Sequence, residues 1–95
     1  ELRVADLVID TNRRRVTRDG KLIELTMREF QVLEYLVHHA GQIVTRTHLW
    51  EHVWDSHSVP DSNVVDVYVR YLRNKLGREP DLIKTVRGGG YLLEP

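Results

Sequence analysis

The sequence predicts an α+β fold with a small N-terminal antiparallel sheet, three helices and a C-terminal β-hairpin. Three observations carry that prediction. Residues 2–25 come as short apolar bursts separated by turn signals, the punctuation of strands. From Met27 to Leu76 apolar residues recur every three or four positions, with breaks at Gly41 and around Pro60, the punctuation of helices. Beyond Gly77 and Pro80, two short strand-like runs flank three consecutive glycines.

Each element has a local reason. Leu7-Val8-Ile9 runs into the turn residues Asp10-Thr11-Asn12. Asp19-Gly20 separates Arg15–Arg18 from Lys21–Leu25 and suits the positive φ angles of a two-residue hairpin. Thr26-Met27-Arg28-Glu29 is a capping box, with Leu25 and Phe30 spaced as a hydrophobic staple. Phe30, Leu33, Leu36 and Val37 then mark a first helix from about Met27 to Ala40. Thr45 caps a shorter second helix carrying Leu49, Trp50, Val53 and Trp54. The polar stretch 55–61, with Pro60, is a loop into a third helix spanning about 62–76. On a 3.6-residue period Val65, Val69, Leu72 and Leu76 face the core, and Asn63, Val67, Arg70, Tyr71 and Asn74 face away. The closing hairpin spans about 83–93, with the glycines expected as a mobile tip.

Composition narrows the class. With 41% hydrophobic and 29% charged residues the chain falls among globular proteins rather than disordered ones. Ninety-five residues make one domain, 1–95, and leave no room for two. No apolar run approaches the ~18 residues of a membrane span, so no membrane partner is expected. The absence of cysteine excludes disulfides and thiolate chemistry, and allows a reducing, cytoplasmic setting. Glu1 is not an initiator Met and no leader-like stretch follows it, so a domain cut from a longer protein is expected. Fourteen Lys and Arg balance fourteen Asp and Glu, and that total argues against a nucleic-acid binder.

The order helix, loop, longer helix, basic hairpin is nevertheless the layout of a winged helix-turn-helix. A major groove about 12 Å wide accepts one helix, buried on one side and furnished with hydrogen-bonding groups on the other. The third helix meets that requirement, with Arg70 for guanine or phosphate, Asn63 and Asn74 for base edges, and Val67 for a thymine methyl. Charge is also segregated. Residues 62–78 hold Arg70, Arg73, Lys75 and Arg78 against Asp66 alone, and residues 82–93 hold Lys84 and Arg87 with no acid. Glu29, Glu34, Glu51, Asp55 and Asp61 gather in the middle of the chain, opposed only by Arg28 and Arg46.

Four motifs then stand in order: Thr26-x-x-Glu29-Phe30-x-x-Leu33, Leu49-Trp50-x-x-Val53-Trp54, Asp66-Val67-x-Val69-x-x-Leu72-Arg73-x-Lys75, and Thr85-Val86-Arg87-Gly88-x-Gly90-Tyr91. Together they resemble the C-terminal DNA-binding domain of response regulators of the OmpR/PhoB type, over the whole chain. The resemblance implies a transcription factor in a two-component phosphorelay, with no enzymatic activity and no cofactor or metal in this domain. A receiver domain outside this chain would pair two copies on tandem half-sites in double-stranded DNA, about one helical turn apart. It also implies base-reading positions at Asn63, Val67, Tyr68 and Tyr71, alongside Arg70 and Asn74 from the helix face. Phosphate contacts fall to Arg46, Trp54 and Arg73, with Lys75 in the same basic run. Thr85, Arg87, Gly88 and Gly89 form the wing at the minor groove, where narrow A·T tracts attract arginine. The loop Asp55, Ser56, His57, Ser58, Val59, Pro60 and Asp61 corresponds to a segment that contacts RNA polymerase. Asn63 and Tyr71 stand where some relatives are basic, so base preference does not transfer. A core seat is the competing assignment for Trp54.

Other readings compete. His48-Leu49-Trp50-Glu51-His52 matches the H-x-x-E-H pattern of a zinc protease, with imidazoles one helical turn apart. The scaffold of such enzymes does not fit 95 residues and no third ligand is indicated, so the pattern reads as fortuitous. His38-His39 suit the C-terminal carbonyls of the first helix. Arg13-Arg14-Arg15 reads as a solvated strand or turn, or a surface facing the receiver domain. The glycine triplet lacks the Lys-Ser/Thr and helix of a phosphate loop. The rival class is a winged-helix protein-interaction module without DNA binding.

Overall fold

The computed structural model describes residues 1–56, 63–77 and 81–94. Four short strands open the chain: β1 (Leu2–Val4), β2 (Leu7–Asp10), β3 (Arg15–Arg18) and β4 (Lys21–Ile23). They form an antiparallel meander in sequence order. Asp19 and Gly20 adopt φ of 53° and 79° between paired Arg18 and Lys21, the two-residue turn that their types favour. Alternation places Leu7 and Ile9 on the core face, and register sets Val16 opposite Ile9 and Arg18 opposite Leu7.

Helix α1 (Met27–His38) starts on the capping box: Glu29 N–H donates to Thr26 Oγ1 and Thr26 N–H donates to Glu29 Oε1. It ends two residues before the expected Ala40, with His39 as its C-cap, while Gly41 takes φ 83° just beyond. Helix α2 (Arg46–Val53) is capped by Thr45, whose hydroxyl accepts His48 N–H at 3.0 Å. Helix α3 (Val64–Leu76) begins two residues after position 62, which lies outside the described residues. Its Val65, Val69, Leu72 and Leu76 are buried as periodicity demands. The three helices pack on one another, and α1 also covers β1. One hydrophobic cluster joins all of these to the C-terminal strands.

The C-terminal end differs from a bare hairpin. Ile43–Val44 forms β5, and the sheet runs β5, then β7 (Gly90–Leu93), then β6 (Ile83–Val86). Two apolar residues between turns carry no periodicity, so this strand is invisible until a partner edge is supplied. The three glycines are likewise not all part of the tip. Gly89 N–H closes the turn on Val86 O at 2.9 Å. Gly90 lies in β7 at φ 132°, where a Cβ would stand 2.2 Å from Val44 O and 2.8 Å from Thr45 Cα. Only glycine lets the backbone of β7 pass that close to β5.

Candidate nucleic-acid interface

Helix α3 turns one side to the core and leaves the other in solvent. Asn63, Arg70, Tyr71 and Asn74 are exposed, with Tyr71 at 45%. Asn63 is the N-cap yet makes no side-chain cap bond, so its amide is not consumed by the helix. Val67, expected on the exposed face, is half-buried. Tyr68 is half-buried and packs on the core cluster. It sits in an aromatic ladder: Trp50 to Trp54 at 5.7 Å, Trp54 edge-on to Tyr68 at 5.3 Å, and Tyr68 edge-on to Tyr71 at 5.6 Å. The ladder holds Tyr71 outward from a fixed base. Trp54 is thus half-buried, with the Arg28 guanidinium 5.0 Å from its ring centre, and Arg28 also donates to Val53 O at 2.8 Å.

The wing is tied to α3 by Arg73. Its guanidinium donates to Ile83 O at 2.9 Å and to Thr85 Oγ1 at 2.6 Å, and lies 5.6 Å from the Tyr91 ring centre. Thr85 and Arg87 are exposed beside it, and Gly88 and Gly89 form the turn. A shallow depression lined by Arg73, Asp81, Ile83, Lys84 and Thr85 lies along this junction. Arg46, the first residue of α2, reaches the same surface. Its Nε donates to Asp66 Oδ1 at 2.6 Å, and Asp66 also accepts the Tyr91 hydroxyl. Burial pushes the Asp66 carboxyl up, but the Tyr91 and Arg46 bonds outweigh it and hold it below the ordinary range. Burial and the same carboxylate raise the Tyr91 phenol.

Lys75 leaves this group. Its ammonium pairs with Glu29 Oε1 at 2.6 Å on the flank facing α1. Burial pushes the Glu29 carboxyl up, and the bonds from Lys75 and Thr26 bring it below its ordinary value. One acid of the capping box thereby anchors α3 as well. Asp55 is exposed at φ 52° and Ser56 half-buried; His57, Ser58, Val59, Pro60 and Asp61 lie outside the described residues. The histidines go elsewhere: His39 Nδ1 meets Tyr35 O at 2.8 Å, and the rings of His39 and His52 stack on Tyr35. Among the described residues no three His, Cys, Asp or Glu side chains form a metal-holding group.

Three residues without a role in the sequence reading prove central. Arg18 is buried and donates to Leu76 O at 2.8 Å, Gly77 O at 3.0 Å and Asp6 Oδ1 at 3.1 Å, so the N-terminal sheet caps the C-terminus of α3. Its signal was an arginine at an inward register position two residues after Val16. Asp66 and Tyr91 stood within the motifs but carried no pairing signal.

The family described as "Transcriptional regulatory protein, C terminal" matches residues 20–93. The chain is 45% identical over 96 residues to the transcriptional regulatory protein CusR of Escherichia coli K12, covering 99% of this chain and 42% of that protein. It is 46% identical over 95 residues to the transcriptional activator protein IrlR of Burkholderia pseudomallei, covering 98% of this chain and 42% of the relative. It thus spans about two-fifths of the curated relatives it matches. Among solved structures, the Klebsiella pneumoniae RstA DNA-binding domain in complex with the RstA box superimposes with a TM-score of 0.90 at 35% identity, covering 99% of this chain and 96% of that one. The DNA-binding domain of CpxR from E. coli gives 0.86 at 38% identity, covering 98% and 94%. With the winged helix in place and three-quarters of its length matched, the chain belongs to the family of C-terminal, DNA-binding output domains of OmpR/PhoB-type response regulators.

Proposed function

We propose that this chain binds double-stranded DNA sequence-specifically, as the output domain of a two-component transcriptional regulator, and has no catalytic activity of its own. The observation that carries this reading is the exposed side of α3 set beside a wing and ringed by Arg46, Arg70, Arg73 and Arg87, in a chain of zero net charge. Phosphate contacts from Arg46, Arg73 and the Trp54 indole position the domain, with Lys75 at the edge of reach. Asn63, Val67, Tyr68, Arg70, Tyr71 and Asn74 read the major groove. Thr85, Arg87, Gly88 and Gly89 follow the minor groove.

In the full regulator a receiver domain brings two copies to tandem half-sites, the loop 55–61 meets RNA polymerase, and the work is done in the cytoplasm. The family match and the layout of cations around α3 support this account. Titration against random-sequence duplex at rising salt tests it. Four to six neutralised phosphates give a slope of log affinity on log salt of about −4 to −5. An interaction-only module shows no salt-dependent binding. Val67→Arg is expected to change the sequence motif recovered from a random duplex pool, and an unchanged motif overturns the placement of α3.

A further inference from the structure

The start of α2, the first turn of α3 and the last strand converge on one carboxylate. Asp66 takes the Arg46 Nε–H and the Tyr91 hydroxyl, and the Arg46 guanidinium also lies 5.1 Å from the Tyr91 ring centre. A guanidinium and a phenol aimed at one anionic oxygen are the donors that a phosphodiester oxygen takes. The Arg46–Asp66 ion pair is open to an incoming strand, with side chains 43% and 33% exposed, and the Tyr91 hydroxyl reaches it from a ring that is itself buried.

The two partners sit differently in their own helices. Arg46 is a cation at the positive end of α2, where the helix dipole repels it, so Asp66 is what fixes its place. Asp66 stands in the first turn of α3, where an acid favours the helix end and Arg70 one turn on attracts it, yet its carboxylate accepts its bonds from Arg46 and Tyr91, across the fold.

We propose that Asp66 is the internal occupant of a DNA-phosphate site built by Arg46 and Tyr91, and that a backbone phosphate displaces it when the duplex binds. This inference rests on the DNA-binding reading above. Its consequence is an inbuilt penalty on every complex that recruits Arg46. Each such contact breaks an ion pair and uncovers a carboxylate that gathers a cation, cancelling the counterion released from that phosphate.

Two measurements on the 95-residue chain test it. In the wild type, the Asp66 carboxyl carbon resonance is followed by NMR as random-sequence duplex is added. It is expected to shift together with the Arg46 Nε–H signal. Binding that leaves the Asp66 resonance unmoved overturns the inference alone, and absence of any binding overturns the DNA-binding reading with it. In the second, Asp66→Asn is expected to tighten binding to the same duplex about two- to fivefold, the worth of one exposed ion pair. It is also expected to steepen the salt slope by about one. Glu34→Gln makes the same charge change on α1 and is expected to do neither, and in an Arg46→Ala background Asp66→Asn gives no gain. A gain equalled by Glu34→Gln, a gain that survives without Arg46, or weaker binding by a folded Asp66→Asn each overturns the proposal.

Discussion

Each of the two sheets is tied to α3 through one arginine, Arg18 of the first sheet and Arg73 of the helix itself, and the difference lies in what surrounds the guanidinium. Arg18 reaches from β3 into the core, 7% exposed, and spends its donors on the last carbonyls of α3 and on Asp6. Arg73 reaches out of α3 to Ile83 O and Thr85 Oγ1 while staying half-exposed beside the wing. A buried guanidinium cannot be withdrawn without orphaning acceptors, whereas a half-exposed one can exchange its partner for another anion. The N-terminal flank therefore fixes the helix and the wing flank presents it.

That contrast can be broken, and the largest effect is expected on the wing side at Gly90. Gly90→Ala drives a methyl into the Val44 carbonyl at a φ that L residues avoid, and should cost about 3 to 5 kcal/mol of stability, read by urea unfolding. Such a loss shows that the wing sheet is a rigid support rather than a flexible arm. Next, Arg18→Ala should cost about 2 to 3 kcal/mol, since it strands two helix-end carbonyls and the partly exposed Asp6. Arg18→Lys should not restore the loss, because an ammonium lacks the fork that spans these acceptors. Arg73→Ala separates the flanks most sharply. It should lower affinity for all duplexes by about 1 kcal/mol and shallow the salt slope by about one, with a smaller loss of stability than Arg18→Ala. A larger loss of stability at Arg73 than at Arg18 would invert the comparison.

The smallest effect is expected in acid. Glu29 on one flank and Asp66 on the other both titrate below their ordinary values when folded. Each contributes stability that is present above its unfolded pKa and lost as pH falls through its lowered folded pKa. Unfolding midpoints should thus decline from the ordinary carboxylate range downward. Glu29→Gln and Asp66→Asn should each flatten that limb.

Local chemistry made the helices and the first sheet legible. The Thr26–Glu29 box, Asp19-Gly20 and the spacing of Val65, Val69, Leu72 and Leu76 are short-range signals, and the structure realises each. What local chemistry did not show was long-range. β5 is two residues long and exists because β7 lies beside it. The third glycine is demanded by a backbone 46 positions earlier in the chain, as the numbers of Val44 and Gly90 show. Val67 falls on the outward face of a helical wheel but is partly covered. Lys75, grouped with the phosphate candidates by charge, is drawn to Glu29, since a buried carboxylate needs a cation more than the outer surface does.

The zero net charge teaches the same division. Sequence order alone determined that bases concentrate toward the C-terminus and acids in the middle, that α3 is amphipathic, and that a basic hairpin follows it. Tertiary structure decided which of those bases stay available. Arg18 is sealed inside, Lys75 is paired across to α1, Arg46 is held by Asp66, and Arg73 is shared with the wing. Composition and periodicity act within a few residues along the chain. The partner of a charge is set by distance in space, and only folding brings Asp66 to Arg46 and Tyr91, or Arg18 to the end of α3.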